Sequence, residues 1–318
     1  PEYDGRGTII FIFDTGVDMG IDGLKTTSTG EVKVIDVQDF TGQGDLKLEE
    51  AEFTEKEINE KDTEVISGKT SGFYVSGING IKGKSPEGKY FITSINEADW
   101  KNSGSDIRDL NNNDKTDDRF AAVVFQAEEA GEKFWTAVID TDGDGSLENE
   151  AFLRNYKDKY DIFYIKNNKE VTPITFALNI FPEENRLSLF FDDGAHGTHC
   201  AGIAAGNQIG GADIYGVAPG AKIIALKLGN NNLSGGATVS ESMKKAFEYA
   251  DKVSKDRKEP CIINMSYGVG SEIEGRAEME VWIDNLVKNN PYLYICVSNG
   301  NEGPGTSTSG LPASSLNV

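Results

Sequence analysis

Histidine is nearly absent from this chain: its 318 residues include two histidines, His196 and His199, which lie in one short phrase. Cysteine is also scarce, with three residues, so the chain has no even disulfide framework and we predict free thiols. Histidine is the only side chain whose unperturbed pKa lies near neutrality, so proton transfer near pH 7 points to this phrase. We expect His196 to act as a base at a helix start and His199 to be its buried neighbour.

Long apolar runs and an excess of positive charge are also missing. No run approaches the roughly 20 apolar residues that a membrane-spanning helix needs. The 31 basic residues are outnumbered by 52 acidic ones, which gives a net charge of −21. Nucleic acids and anionic membrane surfaces bind basic patches, so neither is expected as a partner. The composition favours a secreted or cell-envelope protein, with a cytoplasmic protein as the alternative.

Short apolar runs alternate with amphipathic segments in two parts of the chain. Residues 8–13 are apolar almost without interruption, as in a strand covered on both faces, and similar runs occupy 222–228, 261–265 and 292–297. Two segments between these runs have apolar residues at helical spacing. In the first segment the apolar residues begin at Met243, with Ser240 as a possible helix cap, and in the second they begin at Met279. This order predicts an α/β fold with a doubly wound, mostly parallel sheet, whose active site lies at the carboxyl ends of the strands.

Residues 42–171 have a different character, rich in charged residues, asparagine and glycine, with short alternating segments. Alternation of this kind predicts β-strands with one buried face. We therefore expect a large, mostly β insertion at 42–171 and a catalytic domain made of 1–41 and 172–318. The apolar hairpin near residues 174–191 is expected to carry the chain back to the α/β core.

Five segments resemble the subtilisin-like serine proteases, in the family's order along the chain. They are Asp14–Gly16, His196–Gly202, Tyr215–Gly220, Asn264–Gly268 and Gly300–Gly303. Asp14 and His196 are 182 positions apart, far more than in compact members of that family. A large insertion at this point resembles the tripeptidyl peptidase II and pyrolysin-like branch.

The resemblance implies a role for each matching residue. Asp14 would orient the base His196, and Asn301 would donate its side-chain amide to the oxyanion of the reaction intermediate. A polypeptide substrate would bind as an added strand. The residues implied in substrate binding are Leu233, Ser234, Gly235 and Gly236 on one side, and Ser266, Tyr267 and Gly268 on the other.

The sequence motif that surrounds the family's nucleophilic serine has no good match in this chain. Gly305-Thr306-Ser307 is a poor match, because Ser307 follows Asn301 too closely and the Met-Ala of the family's serine box is missing. We therefore expect the serine beyond Val318 and the fragment alone to be inactive. The resemblance implies an N-terminal propeptide and the C-terminal remainder of the protease as partners.

The preferred interpretation is a serine endopeptidase that cuts peptide bonds in proteins. Exo-acting relatives hold the substrate's amino terminus with glutamates, and the aligned positions here are Ala237 and Val269. A tripeptidyl aminopeptidase of the same family and an inactive peptide-binding module are the alternatives. A metalloenzyme that uses His196 and His199 is disfavoured, because no zincin-type glutamate lies nearby.

An acidic loop in the insertion resembles the start of an EF-hand. Its candidate ligands for a structural calcium ion are Asp140, Asp142, Asp144, Ser146 and Glu148, and Gly145 allows the sharp turn. The twelfth position is Ala151 instead of a glutamate, so Glu148 or Glu150 would have to substitute. A weaker copy of the pattern runs from Asp109 to Asp117.

Overall fold

A computed structural model describes residues 3–102, 104–167, 169, 172–229, 237–270, 273–305 and 308–318. The chain forms two compact units. One comprises the residues up to Thr41 and from Asp192 onward, and the other comprises Gly42–Phe191. Strands are numbered β1 to β17 and helices α1 to α5 along the chain.

The first unit is built on a five-stranded parallel sheet. Its strand order is β16 (Leu293–Val297), β14 (Cys261–Met265), β1 (Ile9–Asp14), β13 (Lys222–Lys227) and β2 (Val34–Asp39). All six residues of the central strand β1 are buried, which explains its unbroken apolar sequence. The parallel α/β sheet expected from the sequence is confirmed.

Helices cover both faces of this sheet. On one face, Met243 and Phe247 of α4 (Ala237–Arg257) and Ile283 of α5 (Glu278–Lys288) pack against β1. The buried Ala201 and Ala205 of α3 (His196–Ala205) lie outside that cluster, and α3 contacts β1 and β13. Because α4 begins at Ala237, Ser240 lies within its first turn and is not its cap. A short antiparallel pair joins β15 (Val269–Gly270) to β17 (Gly310–Leu311).

The second unit is dominated by a seven-stranded antiparallel sheet, as the alternating sequence predicts. Two short helices, α1 (Glu97–Asn102) and α2 (Tyr156–Lys159), accompany it. The strands, in order across the sheet, are β10 (Phe152–Leu153), β9 (Glu132–Ile139), β8 (Arg119–Glu129), β7 (Tyr90–Asn96), β4 (Glu49–Ile58), β5 (Lys61–Gly68) and β6 (Tyr74–Val75).

The boundary between the units differs from the predicted one. The hairpin of β11 (Ala177–Phe181) and β12 (Arg186–Phe190) pairs with β3 (Asp45–Lys47), so 172–191 belong to the insertion and not to the catalytic domain. Leu178 and Leu189 of this hairpin are buried in one core with Phe120 of the insertion. An apolar hairpin fits either core equally well by sequence, which is why the boundary at residue 171 was wrong.

Candidate active site

The centre of the site is a pair formed by Asp14 and His196. Asp14 is the last residue of β1, and His196 is the first residue of α3. Nδ1 of His196 lies 2.7 Å from Oδ1 of Asp14. The carboxylate accepts a hydrogen bond from Nδ1–H, which leaves Nε2 as the ring nitrogen that can accept a proton. Asp14 is 4% exposed, whereas the His196 side chain is 50% exposed, so the base faces outward from a buried orienting group.

Close packing of two backbone segments brings the pair together. A Cβ atom on Gly197 would lie 1.9 Å from the carbonyl oxygen of Gly16, so only glycine fits at position 197. The backbone N–H of Gly197 donates to Oγ1 of Thr15 at 3.0 Å. The backbone N–H of Thr15 in turn donates to Oδ1 of Asp14 at 2.8 Å. These contacts fix the start of α3 against the loop that follows β1.

Asp192 is a second buried carboxylate that ties the two segments together. Its Oδ1 accepts a hydrogen bond from the hydroxyl of Thr15 at 2.6 Å, and its Oδ2 accepts one from the backbone N–H of Thr198 at 2.9 Å. The Thr198 hydroxyl donates to the same oxygen and accepts the backbone N–H of Asp18 at 2.8 Å. Burial raises the pKa of Asp192, and the hydrogen bonds from the two threonines oppose that rise.

The sequence analysis missed the roles of Thr15, Asp192 and Thr198. Their signal was present in the sequence, because Thr15 directly follows Asp14, Thr198 is two residues after His196, and Asp192 is four residues before His196. Threonine at both places offers a hydroxyl that donates to the acid while accepting a backbone N–H. The two threonines thus provide hydrogen bonds to both oxygens of the buried Asp192.

Cys200 and His199 lie on the same helix but differ in their relation to the pair. Sγ of Cys200 is 3.9 Å from Nδ1 of His196, and burial raises the pKa of this thiol. His199 is exposed and not buried as expected, because the helix turns its side chain away from the sheet. In the described part of the chain, His199 joins no group of three metal-ligating side chains, which further disfavours a two-histidine metal site.

The implied substrate-binding residues are only partly within the described structure. Ser266, Tyr267 and Gly268 directly follow β14, and Oγ of Ser266 accepts from Nδ2 of Asn264 at 3.3 Å. They therefore extend from the same carboxyl edge of the sheet as Asp14. The other predicted set, Leu233, Ser234, Gly235 and Gly236, lies outside the described residues, as does Ser307.

Asn301 lies in the loop that follows β16, again at the carboxyl edge of the sheet, and it is exposed. The preceding Asn299 anchors this loop. Oδ1 of Asn299 accepts a hydrogen bond from the Ser309 hydroxyl at 2.6 Å, and its backbone carbonyl accepts one from the N–H of Gly310 at 3.2 Å. An exposed amide on an anchored loop is available to donate to a substrate oxygen.

The acidic loop of the insertion forms a compact carboxylate cluster. Asp140, Asp142 and Asp144 have oxygens within 4.8 Å of one another, whereas Glu148 is outside this group. Oγ of Ser146 accepts the backbone N–H of Glu148 at 3.2 Å. Glu150, the possible substitute, accepts instead from the backbone and hydroxyl of Thr141, at 2.6 and 2.9 Å.

The donor set of this cluster suits a hard cation. Asp140 is 2% exposed, and burial together with the nearby Asp144 and Asp142 raises its pKa to about 6. A calcium ion would offset that crowding of negative charge. Lys166 supplies a single positive charge to the cluster, less than a divalent ion would, with its Nζ 3.5 Å from Oδ2 of Asp142. The acidic residues of 109–117 form no comparable group within the residues that the structure covers.

Known proteins resemble this chain along nearly its whole length. Residues 5–318 match the subtilase family. Tripeptidyl-peptidase 2 of Caenorhabditis elegans is 28% identical over 98% of this chain and 25% of its own length. Pyrolysin of Pyrococcus furiosus is 26% identical over 98% of this chain and 24% of its own length. The chain thus spans about a quarter of the length of these relatives.

A solved structure supports the fold. The crystal structure of tripeptidyl peptidase 2 superposes with a TM-score of 0.72 and 23% identity, over 98% of this chain and 27% of that one. None of the helices in the described ranges is both long enough and apolar enough to cross a membrane. The family match over nearly the whole chain, with Asp14 and His196 paired at the expected positions, shows that this protein belongs to the subtilase family.

Proposed function

We propose that the chain is the part of a serine endopeptidase that supplies the base, its orienting acid and the oxyanion donor. The hydrogen bond of 2.7 Å between His196 and Asp14 carries this proposal. A buried carboxylate that holds one imidazole nitrogen, with the other nitrogen exposed, is the arrangement that activates a hydroxyl nucleophile.

The chain's residues would act in sequence. Nε2 of His196 takes the hydroxyl proton of a serine as its oxygen attacks the scissile carbonyl carbon, and Asp14 stabilises the imidazolium that forms. Asn301 donates to the oxygen that becomes negative, an interaction worth about 3 kcal/mol in the subtilisin from which the general magnitude is taken. His196 then gives the proton to the departing amine. Water hydrolyses the acyl-enzyme by the same steps in reverse.

The serine would come from a further segment of the same polypeptide. The open face of the edge strand β16 supports this part of the proposal. Tyr294 is 57% exposed and Cys296 is exposed, while Leu293 and Ile295 on the other face are buried. An apolar face at the sheet edge beside Asn301 fits a packed helix or strand that brings the nucleophile to the site.

Endopeptidase activity is preferred over tripeptidyl aminopeptidase activity because no acidic side chain occupies positions 237 and 269. Several relatives carry the name tripeptidyl-peptidase 2, which keeps the exopeptidase as the competing proposal. The two activities differ in their need for a free substrate amino terminus. A module that only binds peptides would cut neither kind of substrate.

A direct test uses the polypeptide extended to the length of its relatives. Two quenched fluorescent peptides of one sequence are compared, one with a free and one with an acetylated amino terminus. We expect equal cleavage of both, abolished in His196→Ala and retained in the matched control His199→Ala. Cleavage of the free peptide alone, in steps of three residues, would establish the exopeptidase. Cleavage of neither peptide would support the binding module.

Calcium binding by Asp140, Asp142 and Asp144 is a separate part of the proposal. The support is the compact cluster of three carboxylates and the raised pKa of the buried Asp140. The ion would have a stabilising role, because the serine protease reaction needs no metal. A protein of this acidic composition with a calcium-stabilised insertion would function outside the cell or in its envelope.

A further inference from the structure

Lys227 is a fully buried lysine close to the catalytic pair. It is the last residue of β13 and lies between β1 and β2, opposite Asp14 on one side and Asp39 on the other. The preceding Leu226 belongs to the core under α4 and α5. Strand alternation therefore places the Lys227 side chain on the opposite face, where α3 contacts β13.

Three acidic residues attract the Lys227 ammonium group. They are Asp39 at the end of β2, and Asp192 and Asp193, which are four and three residues before the start of α3. Asp193 is fully buried and Asp192 is 8% exposed. Burial lowers the pKa of Lys227, and the three carboxylates oppose that change. Two adjacent buried carboxylates are costly unless a positive charge compensates them, and Lys227 supplies that charge.

The catalytic pair depends on one of these carboxylates. Asp192 accepts hydrogen bonds from Thr15 and Thr198, and these residues flank Asp14 and His196 in the sequence. Asp193 is also fixed, because its backbone N–H donates to the carbonyl oxygen of Thr15 at 3.2 Å. A displacement of the Asp192 side chain would therefore reach both members of the pair through the two threonines.

We propose that Lys227 is a positioning residue for the catalytic pair: its buried ammonium group compensates the adjacent buried carboxyl groups of Asp192 and Asp193, and Asp192 holds Asp14 and His196 in contact through Thr15 and Thr198. Lys227 would act through Asp192 and the two threonines and not on the substrate itself. Its effect on catalysis rests on the proposed function, whereas its effect on the geometry of the pair does not.

The chain offers a matched control in Lys33, which is also fully buried. Nζ of Lys33 donates to the backbone carbonyls of Ala205, Pro219 and Ala221 at 2.6, 2.8 and 3.2 Å. The contact with Ala205 is at the C-terminal end of α3, distant from His196 at its N-terminal end. Lys33→Met should therefore destabilise the same unit without disturbing the contact between Asp14 and His196.

The test reads the imidazole directly. The 318-residue chain contains two histidines, so labelling with ¹⁵N-histidine gives few signals, and His199→Gln assigns them. We expect Nδ1 of His196 to carry its proton in the wild type and in Lys33→Met, and a mixture of tautomers in Lys227→Met. Lys227→Arg should restore the wild-type spectrum. The double variant Lys227→Met/Asp193→Asn should restore the wild-type spectrum in part. It keeps the test decisive if Lys227→Met alone fails to fold.

Activity gives the second measurement, in the extended polypeptide. Lys227→Met should lower kcat by about 10²-fold with little change in KM, the size of effect that a misplaced catalytic group produces. An unchanged His196 tautomer in Lys227→Met, or an equal change in Lys33→Met, would overturn the proposal. If the extended polypeptide cleaves no peptide at all, the proposed function fails, while the ¹⁵N spectra still decide the role of Lys227.

Discussion

Gly197 approaches Gly16 so closely that a Cβ atom at residue 197 would lie 1.9 Å from the carbonyl oxygen of residue 16. Asp14 is beside this contact, because its own Cβ would be 3.0 Å from that added atom. The second residue of α3 thus has no space for a side chain. The distance between Asp14 and His196 is set by this backbone contact as well as by their hydrogen bond.

Replacing Gly197 by alanine should therefore push α3 away from the loop after β1. We expect a loss of more than about 2 kcal/mol in the free energy of unfolding, and a fall in kcat of the extended polypeptide of about 10²-fold or more. Chemical denaturation and peptide hydrolysis measure the two effects. Gly202→Ala on the same helix is the control, because a Cβ there meets open space, and it should be neutral or stabilising.

Removing the Thr15 hydroxyl should leave one oxygen of buried Asp192 and the N–H of Gly197 without their partner. Thr15→Val keeps the shape of the side chain, so the expected loss of about 1 to 3 kcal/mol in unfolding free energy reports the lost hydrogen bonds. Thr15→Ser, which keeps the hydroxyl, should recover most of it. Equal stability of the valine and serine variants would contradict the bridging role of Thr15.

Calcium removal should lower the melting temperature of the insertion. Loss of a bound ligand destabilises by mass action, so excess calcium should raise the melting temperature of the wild type and leave that of Asp144→Asn nearly unchanged. Asp62→Asn, which changes an exposed acid in β5, should respond to calcium like the wild type. A melting temperature insensitive to chelator would show that the loop binds no ion.

The pH dependence of stability should change sign when calcium is removed. Burial raises the pKa of Asp140 from 3.8 to about 6, so the folded metal-free chain holds this proton more tightly than the unfolded chain. The contribution of this proton to the free energy of unfolding is complete below pH 3.8 and is lost as the pH rises through about 6. The change is up to about 3 kcal/mol. Asp140→Asn should remove this trend, and saturating calcium, which favours the carboxylate, should reverse it.

The sequence predicted the parts of the site that lie within continuous motifs. Asp14 and His196 could be found because each stands in a short phrase whose neighbours are dictated by close packing, such as Gly16 and Gly197. The acidic loop was found in the same way, since its carboxylates alternate along five residues. Its fifth expected ligand, Glu148, is exposed and lies outside this group of three carboxylates.

Other features depend on contacts between distant segments and have no local pattern. Lys227 ends an apolar strand like any exposed lysine, and only the fold shows that β2 and the turn before α3 enclose it with acids. The boundary at Phe191 likewise depends on pairing between β12 and β3, which are separated by most of the insertion. The exposure of His199 follows from which face of α3 meets the sheet.

The central claim is that Asp14 and His196 activate a serine that this chain does not itself supply. The most direct measurement is covalent labelling of the extended polypeptide with a serine-directed fluorophosphonate, followed by mass spectrometry of the modified peptide. We predict stoichiometric labelling of one serine beyond Val318, and loss of labelling in His196→Ala but not in His199→Ala. Labelling of Ser307, or labelling that persists in His196→Ala, would contradict the account.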